Sequence, residues 1–165
     1  MPTAPELAYL ERCIELAHES LLAGDHPFGS ILVNSTGQIL KEERNRVCTA
    51  NDITYHPERV LAVWAQQNMT PEDRAAATVY TSHEHCPMCS AAHAFAGIGR
   101  IVFASSSKQL DGWRTELGLP GSPVTALPIE LVARGVEVEG PVDELAGRIF
   151  ELHRLMKEKM QQGGL

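Results

Sequence analysis

The sequence predicts an α/β fold, a mixed five-stranded sheet with helices on both faces, formed by residues 1–165 as a single domain. Three observations carry that expectation. A hairpin pattern near the start supplies an antiparallel pair of strands. Strands and helices then alternate, which calls for parallel neighbours joined by crossovers. The length of 165 residues suits one domain, and no repeat or long linker divides it.

The elements follow in order. Residues 5–23 read as a helix, because Leu7, Leu10, Ile14, Ala17 and Leu21 recur at helical spacing with glutamates at or beside the opposite face. Gly24 and Asp25 stop it. His26-Pro27-Phe28-Gly29 is a turn into a strand at 30–34. Ser35-Thr36-Gly37 connects that strand to a returning one at 38–47, and the β-branched and apolar run of Ile31, Leu32, Val33, Ile39 and Leu40 supports the pairing. Residues 48–54 are polar and loop-like. Pro57 pins the start of a second helix ending near Asn68, since proline fits a first helical turn. Thr70-Pro71-Glu72-Asp73 reads as an acidic turn before a third strand at 77–81. A third helix covers 90–96 and is ended by Gly97 and Gly99. A fourth strand spans 100–105, and a short helix or lid with Trp113 spans 107–118. A short fifth strand is expected within 124–131, further extended chain at 136–142, and a last amphipathic helix from Asp143 to about Met160.

Composition narrows the function classes. The apolar fraction of 44% and charged fraction of 21% are ordinary for a soluble domain. No apolar run approaches the roughly 20 residues of a membrane span, and residues 1–6 have no basic or apolar leader pattern. The expected location is cytoplasmic, where cysteines stay reduced, so Cys13 and Cys48 read as plain thiols. The formal charge is 14 − 21 = −7, with no basic run. Nucleic-acid partners are disfavoured, because phosphate neutralisation needs a basic face.

Two stretches carry chemistry. His56-Pro57-Glu58 offers an imidazole and, two positions on, a carboxylate; Cys86-Pro87-Met88-Cys89 offers two thiols at a spacing that lets both reach one metal ion. Structural zinc sites fill four positions with protein ligands, whereas catalytic zinc keeps one for water. His56, Cys86 and Cys89 would make three ligands, and Glu58 could move protons without ligating. Each group stands where a loop or strand enters a helix, and helix N-termini favour thiolate. Cys-x-x-Cys alone also suits a redox dithiol or half of a structural zinc site. A structural site would want a second such pair, and the chain has none.

His-x-Glu followed by Pro-Cys-x-x-Cys is the zinc deaminase pattern, so in these motifs the chain resembles the cytidine deaminase-like superfamily. It looks most similar to the branch holding nucleoside, guanine, cytosine and tRNA adenosine deaminases. The resemblance extends over Pro27-Phe28-Gly29, Asn45, His56-Pro57-Glu58, residues 81–89 and Arg100-Ile101-Val102-Phe103. It implies a three-layer α/β/α sandwich and Zn2+ held by His56, Cys86 and Cys89. It also implies Glu58 as proton shuttle, and a substrate ring met by Asn45, Phe28 and Phe95. The chain departs from the pattern at Pro57, where alanine is usual, and at His85, where proline is usual. His85 reads as a surface residue or as one that faces the pocket and touches the substrate. The implied function is hydrolytic removal of an exocyclic amine from a free nucleobase, nucleoside or related amino-heteroaromatic. A purine such as guanine is favoured by analogy, and a homodimer is expected. The rivals are a tRNA adenosine deaminase and a non-catalytic zinc-stabilised ligand-binding domain.

Overall fold

The computed structural model describes residues 2–163. Helix α1 (Ala4–Leu22) leads into the hairpin β1 (Gly29–Val33) and β2 (Ile39–Arg44). Then come α2 (Pro57–Asn68), α3 (Pro71–Ala75), β3 (Thr78–His83), α4 (Pro87–Ala96), β4 (Arg100–Ser105) and α5 (Ser107–Leu117). A 3-10 turn at Ile129–Leu131, β5 (Glu137–Glu139) and α6 (Asp143–Gln161) complete the order.

The five strands form one sheet in the order β2-β1-β3-β4-β5. β1 is antiparallel to both β2 and β3, whereas β4 runs parallel to β3 and to β5. The expected mixed sheet is therefore present. Successive side chains of a strand point to opposite faces, and each face has its own core. Ile31 and Val33 of β1, Tyr80 of β3 and Val102 and Ala104 of β4 pack with α1 and α6. Leu32 and Val79, one residue out of phase, pack with Leu61, Ala62 and Ala65 of α2 and with Ala96. Helices thus cover both faces in three layers.

Two local expectations differ. The acidic turn after Thr70 closes into the short helix α3, because Thr70 Oγ1 accepts from Asp73 N at 3.1 Å and Pro71 fits the first turn. The fifth strand lies at 137–139 rather than within 124–131. Pro123 precedes that earlier stretch and Pro128 lies within it, and neither can donate to a ladder. Residues 124–128 instead run as irregular chain, with Val124, Thr125 and Ala126 on the wall of the cavity described below, before the 3-10 turn.

Two features fix the α1 layer. A Cβ on Gly29 would stand 2.5 Å from the Cys13 carbonyl oxygen and 2.5 Å from Leu16 Cβ, so the lack of a side chain lets α1 lie directly on β1. At the start of α1, the Glu6 carboxylate accepts from Thr3 N at 2.7 Å and pairs with Arg100 at 2.5 Å. Arg100 in turn reaches Glu137 at 3.0 Å and Glu139. Burial pushes the Glu6 carboxyl up, but the Thr3 hydrogen bonds and Arg100 outweigh it and hold it down to about 2. A depressed carboxyl pKa stabilises the fold above its unfolded value and loses that contribution as pH falls through the folded one. Glu6→Gln should therefore lower the melting temperature at pH 7 by the equivalent of about 1–2 kcal/mol. The gap to the unsubstituted chain should narrow below about pH 4.5 and close near pH 2, as thermal melts across pH would show.

Candidate active site

The two motif stretches meet where α2 and α4 begin. His56 is the N-cap residue of α2, with Pro57 and Glu58 following in its first turn. Cys86 is the N-cap residue of α4, with Pro87 next and Cys89 three positions on. N-cap and third helical residues face each other across a first turn, the geometry that a capping box also exploits. That is the physical reason two intervening residues bring both sulfurs together. The His56 imidazole makes no cap hydrogen bond to its own helix, so it is free for another partner.

His56 Nδ1 lies 3.6 Å from Cys86 Sγ and 3.6 Å from Cys89 Sγ, and all three donor atoms lie within 4.8 Å of one another. A tetrahedral ion with Zn–S of about 2.3 Å and Zn–N of about 2.0–2.1 Å sets adjacent N and S donors about 3.5 Å apart. The donor set and its spacing therefore fit zinc. Glu58 is buried, and its Oε2 lies 3.6 Å from Cys89 Sγ, so the carboxylate stands beside the triad.

The electrostatics suit soft-metal binding. The Cys89 S–H holds the Cys86 thiol down at about 4 against the effect of burial, with help from His56. Cys89, hydrogen-bonded to that thiolate and buried, is pushed well up. Burial drives Glu58 up to about 7, only partly opposed by His56. A carboxyl poised there can both accept and return a proton near neutral pH.

Two members of the triad, His56 and Cys86, form part of the wall of a cavity of about 460 Å³, within the range of small-molecule sites. Phe28, Asn45 and Glu58 line it together with His56 and Cys86. The amide oxygen of Asn45 accepts from Val47 N at 3.0 Å, which leaves its –NH2 as the donor without a protein acceptor among the described residues. The loop carrying Asn45 is held from beneath. Buried Asp25 accepts from Cys48 N and Thr49 N, each at 2.9 Å, and pairs with Arg44 at 3.2 Å. Ser20 Oγ lies 2.7 Å from the His26 carbonyl and 2.8 Å from that of Asn45.

The family described as "Cytidine and deoxycytidylate deaminase zinc-binding region" matches residues 4–105, which include both motifs and every strand but the fifth. The chain belongs to this family. Among curated relatives, a probable cytosine deaminase of Schizosaccharomyces pombe is 36% identical over 106 residues, covering 64% of this chain and 63% of the relative. Guanine deaminase of Bacillus subtilis is 35% identical over 98 residues, covering 59% and 62%. The matched region thus spans a little under two thirds of each of these relatives. Among solved structures, guanine deaminase from Nitrosomonas europaea superposes with a TM-score of 0.71 at 23% identity, over 96% of this chain and 87% of that one. That likeness shows the cytidine deaminase-like fold.

Within this deaminase-family chain, the structure brings His56, Glu58, Cys86, Asn45 and Phe28 together around one cavity, with Cys89 joined to His56 and Cys86 in the donor cluster. Two expected substrate contacts lie elsewhere. Phe95 is 91% exposed on the outer side of α4, since it follows the buried His93 by two residues and points off the opposite face. His85 is fully buried and neither on the surface nor in the cavity wall; its Nε2 meets His93 Nδ1 at 3.2 Å, behind α4. Pro57 is buried at the helix start, where its missing N–H costs nothing. Trp113 does not line the cavity but packs edge-on against Phe150 of α6 and tilted against His153.

Sequence reasoning missed two polar residues of the wall. Glu84 is buried with both oxygens satisfied: Oε2 accepts from Ser107 N at 2.8 Å and Oε1 from Ile129 N at 2.9 Å. It therefore anchors the start of α5 and the segment after the cavity rim, and its charge favours the N-terminal end of α5. Glu84→Ala should destabilise the fold by about 1.5–3 kcal/mol, the cost of losing charged hydrogen bonds to buried N–H groups. It should also loosen the rim, seen as faster hydrogen exchange in 107–129 than in β1. His83 is the second. Ser105 Oγ donates to the Ser82 carbonyl at 2.9 Å, so it must accept from His83 Nδ1–H at 2.7 Å. That fixes the tautomer and leaves Nε2 as a bare acceptor. The only signal for either residue was its position just before the cysteine motif.

Proposed function

We propose that this chain is a zinc-dependent hydrolytic deaminase. It exchanges the exocyclic amine of a nucleobase, nucleoside or related amino-heteroaromatic for oxygen and releases ammonia, with a purine such as guanine favoured. One observation carries the reading. The His56 imidazole stands at the N···S edge length of a tetrahedral zinc from both thiols, with a buried carboxylate beside them on a cavity wall. When bound, zinc supplies Lewis acidity and lowers the pKa of a water towards about 7.

The chain's own residues supply the rest. Glu58 takes a proton from the attacking water and gives it to the ring nitrogen, then takes the remaining proton of the added hydroxyl and gives it to the departing amine, so that ring C–NH2 and water become ring C=O with a ring N–H, and ammonia. Its value near 7 suits both halves of that transfer. Asn45 offers its –NH2 to a ring acceptor, and Phe28 gives the ring an apolar face. His85 and Phe95 have no place in this scheme. The family likeness to cytosine and guanine deaminases supports the reaction type.

The test is an ammonia assay with the zinc-loaded chain over guanine, guanosine, cytosine, adenosine, aminopterins and aminotriazines. Ammonia released in step with loss of one ring amine supports the reading. No ammonia from any of them, with zinc bound at one equivalent, contradicts it.

We also infer a homodimer from the family resemblance. Phe95 and Val63, exposed on the layer formed by α4 and α2, offer apolar surface for a second copy. Light scattering should give twice the chain mass of 18.0 kDa, and Phe95→Glu should lower it; a monomer mass for the unsubstituted chain would contradict the inference.

A further inference from the structure

One wall of the cavity carries a cation with no partner among the described residues. Arg114 lies near the end of α5, half-buried, and lines the cavity. Its guanidinium makes no hydrogen bond and no ion pair among the described residues, and its nearest attraction is the charge of Asp111, one turn earlier on the same helix. Every other arginine short of full exposure is engaged. Arg12 meets Glu15, Glu19 and Glu42; Arg44 meets Asp25, and Arg46 meets Glu43. Arg59 reaches the Thr54 carbonyl and Arg74 the Ala96 and Met69 carbonyls. Arg100 and Arg154 each pair with glutamates. Burial without a partner loosens the hold of Arg114 on its proton.

The neighbourhood of Arg114 is short of anions. His26 lines the same cavity and is held neutral by burial and by Arg114. His83 of the wall and His153 behind it are buried, and both feel the charge of Arg114. His83 Nε2 and both ring nitrogens of His153 have no hydrogen-bond partner among the described residues. The Phe28 ring packs against both imidazoles, 5.8 Å and 5.5 Å between centroids. Among the described residues three carboxylates line the cavity. Glu58 belongs to the metal site, Glu84 is saturated by two backbone N–H groups, and Asp111 is exposed to water. A cation in the last turn of a helix is favoured by the helix dipole. That accounts for a solvated side chain, but not for one drawn into a cavity.

We propose that Arg114, with His26 beside it, binds an anionic substituent of the substrate, so that this chain prefers amino-heteroaromatic rings bearing a carboxylate or a phosphate over bare bases. The proposal rests on the deaminase reading of the same cavity and names its substrate class. A planar guanidinium with parallel N–H groups matches either anion in a bidentate pair. A neutral imidazole adds one further N–H donor.

The test separates binding from turnover by using rings that lack an amine. Calorimetry with the zinc-loaded chain compares uracil with orotate, and inosine with inosine 5′-monophosphate. The anionic member of at least one pair should bind about tenfold or more tighter, and which pair shows it distinguishes carboxylate from phosphate. Arg114→Gln should abolish that preference, and Arg114→Lys should keep part of it. Equal binding within both pairs, or a preference that survives Arg114→Gln, overturns the proposal. So does Arg114-dependent binding of an anticodon stem-loop RNA with no preference among the small rings. If the anion preference holds but no aminated ring yields ammonia, the deaminase reading fails while Arg114 remains an anion site. If ammonia is released with no effect of Arg114→Gln on any ring, the reverse is true.

Discussion

Glu58→Gln should lower kcat for ammonia release by about 10²–10⁴-fold, the usual worth of a positioned general acid–base group, while zinc stays bound at one equivalent. The substitution keeps the size and a hydrogen-bonding end but removes the exchangeable proton. Glu58 is buried in the first turn of α2, two residues after His56 and 3.6 Å from Cys89 Sγ. It is not one of the three donors at zinc spacing, so its loss leaves the ligand set intact. Because the side chain is buried as a carboxyl driven up to about 7, the amide should fold at least as stably as the acid above that pH. A loss of activity with unchanged zinc content and an equal or higher melting temperature would mark a chemical role. Equal activity in the variant would remove Glu58 from the mechanism.

Removing the metal should have the second large effect. Cys86→Ser or Cys89→Ser, or a chelator on the unsubstituted chain, should abolish ammonia release and lower the melting temperature without unfolding the domain. The reason lies in where the donors stand. His56 and the cysteines tie the N-termini of α2 and α4 together, but the cores on the two sheet faces do not depend on them. A ligand present at about 1,000 times its dissociation constant stabilises by about 4 kcal/mol. At roughly 2–4 °C per kcal/mol for a domain of this size, metal removal should cost about 8–16 °C. The far-UV circular dichroism should stay close to that of the zinc-loaded chain. Collapse of that spectrum on chelation would make the site structural.

The sequence displayed the frame and the candidate metal site because both rest on local rules. Helical spacing in α1, alternation in β1 and the proline-led starts of α2 and α4 are short-range signals, and each element lies within a few residues of its expected place. The ligand triad was legible for the same reason, since an N-cap residue and the third residue beyond it must share one side of a helix. What was hidden depends on long-range packing. The exposure of Phe95 and the burial of His85 are set by which face of α4 meets the sheet, a choice its alanine-rich sequence hardly signals. Glu84 acts through Ser107 and Ile129, residues 23 and 45 positions away. Arg114 stands out through the partners it lacks among the described residues, which no local pattern displays. The fifth strand falls at Glu137–Glu139, beyond the stretch that Pro128 interrupts and Pro123 precedes.

The most direct measurement is zinc-dependent ammonia release. The chelator-stripped chain is assayed on its best substrate before and after adding one equivalent of zinc, with Glu58→Gln in parallel. Activity should be absent without zinc, return with one equivalent, and stay at least about a hundredfold lower in Glu58→Gln. Full activity in the stripped chain, or none at any zinc loading on any ring amine, would contradict the account.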